Sequence, residues 1–111
     1  MMSEIVRKKL MDLGIPPHMT GFAFLEDAIM LWKAGDMVTK DIYPVVAKNN
    51  RTSFTAVEKG IRAVIKYAWS HKRGNLGAIY EVFGLWAFHE PPKPAEFIAG
   101  VAIWRGRADE D

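Results

Sequence analysis

The stretch that decides the fold is residues 52–69, TSFTAVEKGIRAVIKYAW, in which a polar start leads into a long helical pattern. The apolar positions recur every three or four residues and form one side of a predicted helix: Val57, Ile61, Val64, Ile65, Ala68 and Trp69. The opposite side carries Lys59, Arg62 and Lys66 about a turn apart, with Glu58 beside them. Either this is an ordinary solvated helix, or its basic side lies against a negatively charged partner.

Capping residues place the ends of this helix at about residues 53–71. Thr55 and Glu58 have the spacing of a capping box, and Thr52 or Ser53 could equally serve as the N-cap. The sequence RGN that follows ends the pattern. We therefore predict the longest helix of the chain here, preceded by a short polar turn.

Helical periodicity also dominates the rest of the chain, and no segment alternates in the way that predicts a strand. The other helices are expected at residues 3–13, 22–35, about 42–49, 76–84 and 95–106. Pro44 suits the first turn of the third helix, because a proline there removes no intrahelical donor. The segment LWAFHEPPKP, residues 85–94, is predicted as a proline-rich turn. The sequence thus indicates an all-α domain of about six helices.

The same periodicity assigns side chains to the interior. In the first helix, the residues at helix spacing are Ile5, Val6, Lys9, Leu10 and Leu13. The expected inward residues farther along are Ile42, Val45, Val46, Phe97, Ile98, Val101 and either Ile103 or Trp104. Trp32, Trp69 and Trp104 lie on apolar helix faces and are assigned to the core. Glu26 and Asp27 are expected on the solvated side of the second helix.

Composition narrows the class of protein. The 111 residues are 50% hydrophobic, which suits a single domain, residues 1–111, with a sizeable core. The chain has no cysteine, which excludes disulfides and cysteine-ligated zinc or iron–sulfur sites. No apolar run is long enough to cross a membrane, and the start MMSEIVRKKLMDLG lacks the apolar core of a signal peptide. We expect a cytoplasmic protein.

No catalytic arrangement can be assembled from the sequence. His18, His71 and His89 are far apart and share no metal-ligand spacing, and no glycine-rich phosphate loop or Ser–His–Asp arrangement is present. We therefore expect neither an enzyme nor a bound metal or cofactor.

Residues 39–72 have the pattern of a helix-turn-helix: an apolar first helix, the polar turn NNRTS and a longer helix with a basic outer side. The second helix of such a motif enters the major groove of DNA, where lysine or arginine donates to guanine and glutamate accepts from cytosine. The candidate base-contacting residues are Glu58, Lys59 and Arg62. The candidate phosphate-binding residues are Thr52, Ser53, Lys66, Lys72 and Arg73. On pattern alone, a solvated helical hairpin explains the same residues.

Several blocks of the chain, in order, resemble one protein family. The run IYPVVAKNNRTSFTAVEKGIRAVIKYAW at 42–69 resembles the C-terminal DNA-binding domain of the sporulation master response regulator of endospore-forming bacteria. LGIPPHMTGFAFLEDAI at 13–29, FG at 83–84 and AEFIAGVA at 95–102 are similar to further blocks of that domain. The resemblance covers residues from about 5 to 102, and ordered blocks are more specific than one motif.

The resemblance implies a six-helix domain that binds a short box similar to TGTCGAA, often in tandem copies occupied by a head-to-tail dimer. A glutamate and two arginines of the family motif VERAIR correspond to Glu58, Lys59 and Arg62. Lys59 replaces the main guanine-contacting arginine, and a lysine cannot make the bidentate contact of a planar guanidinium. Ala56 and Ala63 stand where the family has an arginine and a histidine. Sequence discrimination is therefore expected to be weaker or altered.

One further feature of the resemblance leaves alternatives open. The family domain follows a phosphoacceptor receiver, which these 111 residues do not contain. The chain is then either an excised fragment or a stand-alone effector that phosphorylation cannot gate. The second hypothesis for function is accordingly a degenerate effector domain without a receiver. It would act as a protein-interaction module that binds the intact regulator or RNA polymerase and antagonises it.

Three further residues, Trp86, Phe88 and Gly60, each allow two interpretations. Trp86 and Phe88 lie in the proline-rich turn, where aromatic residues more often plug a core than form an interface. Because this end of the family domain is near the dimer contact, exposed aromatic side chains here would indicate association instead. Gly60 costs helix propensity of roughly 1 kcal/mol, and it would allow close approach of either a neighbouring helix or DNA.

Overall fold

A computed structural model describes residues 2–110, with side chains described for residues 3–107. All regular structure in this part of the chain is helical, which confirms the predicted fold class. The six α-helices are α1 (Met2–Asp12), α2 (Thr20–Leu31), α3 (Tyr43–Asn49), α4 (Phe54–Ser70), α5 (Leu76–Val82) and α6 (Pro94–Glu110). A π-helical turn, Val38–Ile42, precedes α3, and a 3-10 turn, Leu85–Phe88, follows α5. None of the described helices is both long and apolar enough to cross a membrane.

Helix α2 lies at the centre and contacts α1, α3, α4 and α6. The core around it is apolar, and no polar or charged residue is fully buried in the described part of the chain. The largest side chains excluded from solvent are Tyr43, Phe97, Leu10, Leu13, Ile15, Leu25, Ile29, Ile42, Ile61, Ile98, Val6 and Val46. These come from every helix except α5, so one core joins the N-terminal and C-terminal helices.

Two glycines let α2 and α4 pack backbone to backbone. A β-carbon on Gly21 of α2 would lie 2.7 Å from Cγ1 of Val64, and it would meet the carbonyl oxygen of Gly60 of α4 still more closely. A β-carbon on Gly60 would lie 3.0 Å from the Phe24 ring. Of the two explanations for Gly60, close approach to a neighbouring helix is therefore the one that the structure supports.

The connection between α3 and α4 is short and hydrogen-bonded. Pro44 lies in the first turn of α3, as predicted. After α3, the N–H of Arg51 donates to the Lys48 carbonyl at 3.2 Å, and the N–H of Thr52 donates to the Ala47 carbonyl at 2.9 Å. This pair of bonds closes a helix end with a residue in the left-handed conformation, here Arg51 at φ 54°. The chain therefore turns sharply into α4.

The structure corrects the predicted bounds of the second helix and the assignment of residues 85–94. Helix α2 begins at Thr20 and ends at Leu31, short of the predicted Gly35, because Trp32 is extended and the Asp36 carboxylate binds the N–H of Lys33 at 2.9 Å. The segment 85–94 was predicted as a proline-rich turn throughout, but its first four residues, Leu85–Phe88, form a 3-10 turn.

Some inward assignments were also wrong. Val45 is exposed, because Val46 beside it takes the inward position on α3. Of the two alternatives for α6, Trp104 packs against the core and Ile103 is exposed. Trp32, Trp69 and Trp104 pack against the core but are only partly buried.

Candidate nucleic-acid interface

Helix α4 separates an apolar side from a basic side, as its sequence predicted. Val57, Ile61, Val64, Ile65 and Ala68 are buried, and Trp69 is half-buried against them. The opposite side exposes Lys59, Arg62, Ala63 and Lys66 to solvent, with Ala56 and Glu58 half-exposed. None of these three cations forms an ion pair with the described residues. The basic side is therefore available to an external partner.

Ser53 is the N-cap of α4. Its Oγ accepts a hydrogen bond from the N–H of Ala56 at 3.0 Å, and its exposed hydroxyl retains a donor. Thr52 precedes it and is half-buried. Since the helix begins at Phe54, Glu58 lies beyond the first turn, and the predicted capping box of Thr55 and Glu58 is wrong. Two hydroxyl-bearing residues thus stand at the N-terminal end of α4.

The turn before α4 is fixed to α2 by a carboxylate. Oδ2 of Asp27 accepts hydrogen bonds from Nδ2 of Asn49 at 3.3 Å and Nδ2 of Asn50 at 3.2 Å. Asp27 is half-buried, so its expected solvated position was wrong, and Glu26 beside it pairs with Arg7 at 3.4 Å. The two asparagines therefore position the turn as well as ending α3.

The other end of α4 carries Lys72 and Arg73. Lys72 is exposed and adopts the left-handed conformation at φ 50°. Arg73 is partly engaged within the protein, since its Nε donates to the Gly14 carbonyl at 2.9 Å and its guanidinium lies 5.8 Å from the Tyr67 ring centre. Thr52 and Ser53 lie at the opposite end of a helix roughly 25 Å long, so these residues cannot reach the same phosphate.

A cleft of about 500 Å³ runs beside the basic side of α4. Its lining includes Tyr43 from α3, Glu58 and Arg62 from α4, and Lys93 from the segment before α6. Burial and, to a lesser extent, the charge of Glu58 raise the pKa of Tyr43 to about 12, against the opposing charge of Arg62. The two predicted base-contacting residues Glu58 and Arg62 are therefore close enough to Tyr43 to influence its ionisation.

A second exposed surface is apolar and lies at α5 and the 3-10 turn. Its exposed residues are Leu76, Tyr80, Leu85, Trp86 and Phe88. Trp86 is 42% exposed and Phe88 36%, so the interpretation of both as core plugs was wrong. In the 3-10 turn, Ala87 between them is buried and its carbonyl accepts a hydrogen bond from Nε1 of Trp69 at 2.6 Å.

The sequence analysis missed three residues near the basic side of α4: Arg51, Tyr43 and Lys93. Arg51 is exposed in the turn, and its place in the polar NNRTS segment was a usable signal. Tyr43 and Lys93 join the cleft only through tertiary packing, which no local pattern reveals. In the described part of the chain, no three histidine or acidic side chains come together in a way that could hold a metal ion.

A family model gives an independent comparison. The model described as "Sporulation initiation factor Spo0A C terminal" matches residues 6–103, which include all of α2 to α5, most of α1 and the larger part of α6. The match therefore covers the whole of the basic side of α4 and the cleft beside it.

Proposed function

Because the chain belongs to the Spo0A C-terminal family, the DNA-binding domain of a sporulation regulator, we propose that it binds double-stranded DNA sequence-specifically through α4. Residues 39–72 act as the helix-turn-helix of one domain spanning 1–111. The observation that carries this proposal is the basic side of α4: three exposed cations without ion pairs among the described residues, on a helix whose other side is buried. A helix held in this way can enter a major groove without rearrangement of the core.

Glu58, Lys59 and Arg62 are the proposed base-contacting residues. They lie within about one turn of α4, and Arg62 is three residues from Lys59 and four from Glu58, spacings that place side chains on one side of a helix. Arg62 can donate two hydrogen bonds to a guanine, Lys59 can donate to guanine acceptors as a point charge, and Glu58 can accept from cytosine N4.

The proposed phosphate contacts lie at both ends of α4. Thr52 and the hydroxyl of Ser53 serve the N-terminal end, where the helix dipole also favours an anion. Lys66, Lys72 and Arg73 serve the C-terminal part, and within the described part of the chain the side chain of Arg73 donates a hydrogen bond through Nε alone. Such contacts orient the domain and increase affinity for any sequence.

The target is proposed to be a box related to TGTCGAA but altered in part. Ala56 and Ala63, which are half-exposed and exposed on α4, cannot make the polar contacts of an arginine or a histidine. Lys59 gives less discrimination for guanine than an arginine would. We infer a relaxed preference at the positions that these three residues face.

Two copies are proposed to bind tandem boxes head to tail, with Trp86 and Phe88 at the contact between them. The exposed apolar surface at α5 and the 3-10 turn supports this proposal, because exposed aromatic side chains are enriched at interfaces. The same surface favours the second candidate function, an interaction module that antagonises the intact regulator. A contact with RNA polymerase would also be made through this apolar surface. The proposed location is the cytoplasm, with the nucleoid.

The test is fluorescence anisotropy of the chain with a duplex carrying two TGTCGAA-like boxes and with a scrambled duplex, each at two salt concentrations. The proposal predicts tighter binding to the boxes at both salt concentrations. Equal and steeply salt-dependent binding to both duplexes would show phosphate attraction alone and contradict sequence-specific binding. Absence of binding to either duplex would favour the interaction module.

A further inference from the structure

The segment before α6 presents one lysine on a stiff backbone. Residues 91–94, PPKP, which we call the proline strap, contain three prolines whose rings fix φ on both sides of Lys93. The N–H of Lys93 donates to Oε1 of Glu96 at 2.9 Å, and its carbonyl accepts from the N–H of Phe97 at 2.8 Å. The backbone of Lys93 is therefore held in place while its side chain remains exposed.

The proline strap lies along the basic side of α4. Lys93 and Pro94 line the same cleft of about 500 Å³ as Glu58 and Arg62. Farther along, the three prolines face Arg62 and Lys66 across a smaller hollow of about 270 Å³. The strap thus borders α4 over the two turns that carry the proposed DNA contacts.

Lys93 forms no ion pair with the residues that the structure describes. Two carboxylates share its cleft, those of Glu58 and Asp36. The carboxylate of Asp36 accepts a hydrogen bond from the N–H of Lys33. The carboxylate of Glu58 is proposed to accept a hydrogen bond from a cytosine of the DNA. Lys93 therefore adds a positive charge beside α4, outside the helix-turn-helix itself.

We propose that Lys93 binds a DNA phosphate at the edge of the groove that α4 enters. This inference rests on the proposed function. A lysine is suited to a phosphate because it is a flexible point charge, and a phosphate contact carries no direct sequence information. Because the prolines already fix the backbone, ordering the strap costs little conformational entropy on binding. Lys93 therefore increases affinity for all sequences and leaves the preference between sequences unchanged.

The experiment measures the salt dependence of binding for Lys93→Ala, with the box duplex and the scrambled duplex. Loss of one phosphate contact lowers the slope of log affinity against log salt by about 0.9 for both duplexes. The ratio of the two affinities stays at the wild-type value. Lys93→Arg keeps the wild-type slope. Lys8→Ala is the matched control, since Lys8 is exposed on α1 and its loss changes the net charge equally.

Two results would overturn the proposal for Lys93. A slope for Lys93→Ala equal to that of Lys8→Ala would show only a change in net charge. A changed ratio between the two duplexes would show a base contact instead. Circular dichroism and thermal melting identify any loss of folding, which is not expected because the bonds of Lys93 use its backbone.

Failure of the proposed function has a different signature. If the wild-type chain binds neither duplex, sequence-specific DNA binding and the role of Lys93 are both contradicted. If the wild type prefers the boxes and Arg62→Ala abolishes that preference while Lys93→Ala keeps the wild-type slope, only the role of Lys93 is wrong.

Discussion

The two sides of α4 are specified by different physics. Its inner side packs against α2 so closely that Gly21 and Gly60 bring the backbones together. Its outer side exposes Lys59 and Arg62 to solvent. Steric packing therefore limits which residues fit the inner side. The residues of the outer side are limited instead by charge and by the proposed contacts with DNA.

This difference separates stability from function within one helix. Changes at a close packing contact are expected to cost free energy of unfolding, because the surrounding side chains cannot move away. Changes at exposed positions without partners usually alter stability by less than about 0.5 kcal/mol. Substitutions on the two sides of α4 should thus affect different measurements.

The largest effect is expected for Gly21→Ala. The new methyl group would meet the Gly60 carbonyl oxygen and Cγ1 of Val64, and backbone cannot move aside as a flexible side chain can. We expect a loss of about 3 kcal/mol in the free energy of unfolding, at the upper end for overpacked sites. Urea denaturation followed by circular dichroism measures it. A loss below about 1 kcal/mol would contradict the close crossing of α2 and α4.

Gly60→Ala is the matched control at the same crossing. Its methyl group would lie 3.0 and 3.1 Å from two atoms of the Phe24 ring, which must shift by a few tenths of an ångström. A gain in helix propensity of about 1 kcal/mol opposes this cost. The same denaturation experiment should show a net loss of less than about 1 kcal/mol. A loss as large as that of Gly21→Ala would mean that Phe24 cannot move.

Lys72→Gly should raise stability and weaken DNA binding together. Lys72 has a left-handed backbone at the end of α4, a conformation that glycine adopts without steric cost. The expected gain in free energy of unfolding is about 0.5 kcal/mol, while loss of the proposed phosphate contact lowers DNA affinity. Thermal melting and anisotropy on the same sample test both. Unchanged affinity would remove Lys72 from the interface.

The smallest effect is a loss of stability at high pH, and it concerns Tyr43 of α3, which lines the cleft beside α4. Its pKa is raised to about 12, mainly by burial, from the ordinary value of 10.0. Below pH 10 both folded and unfolded states keep the proton, so the contribution to stability is full. Above that pH the unfolded state loses its proton first, and stability falls as the pH rises toward 12.

Ultraviolet absorbance of tyrosinate during alkaline titration checks this prediction. A component with a midpoint near 12 should be present in the wild type and absent in Tyr43→Phe. If the variant instead lost a component with a midpoint near 10, the hydroxyl of Tyr43 would be solvated rather than buried.

The inner side of α4 was predictable because each inward residue repeats at helical spacing. Val57, Ile61 and Val64 fall every three or four residues, and the same reasoning placed Pro44 in the first turn of α3. It failed at Val45, where the spacing alone could not show that Val46 fills the inward position.

The site was predictable only within α4 and the residues beside it. Spacing identified the exposed cations, but it could not choose Ser53 over Thr52 as the N-cap, since both hydroxyls suit the role. Asp27 and Lys93 reach the site from α2 and from the segment before α6. Their positions depend on tertiary packing, and no local signal in the sequence marks them.

The central claim is that the outer side of α4 recognises DNA and does not hold the fold together. The measurement that tests it most directly compares the double variant Lys59→Ala, Arg62→Ala with the wild type in both denaturation and anisotropy. We expect the double variant to have a free energy of unfolding within about 0.5 kcal/mol of the wild type. We also expect loss of the preference for the box duplex by about tenfold or more, since good base contacts each give about 1–3 kcal/mol of discrimination. A variant that kept the full preference, or that unfolded, would contradict the account.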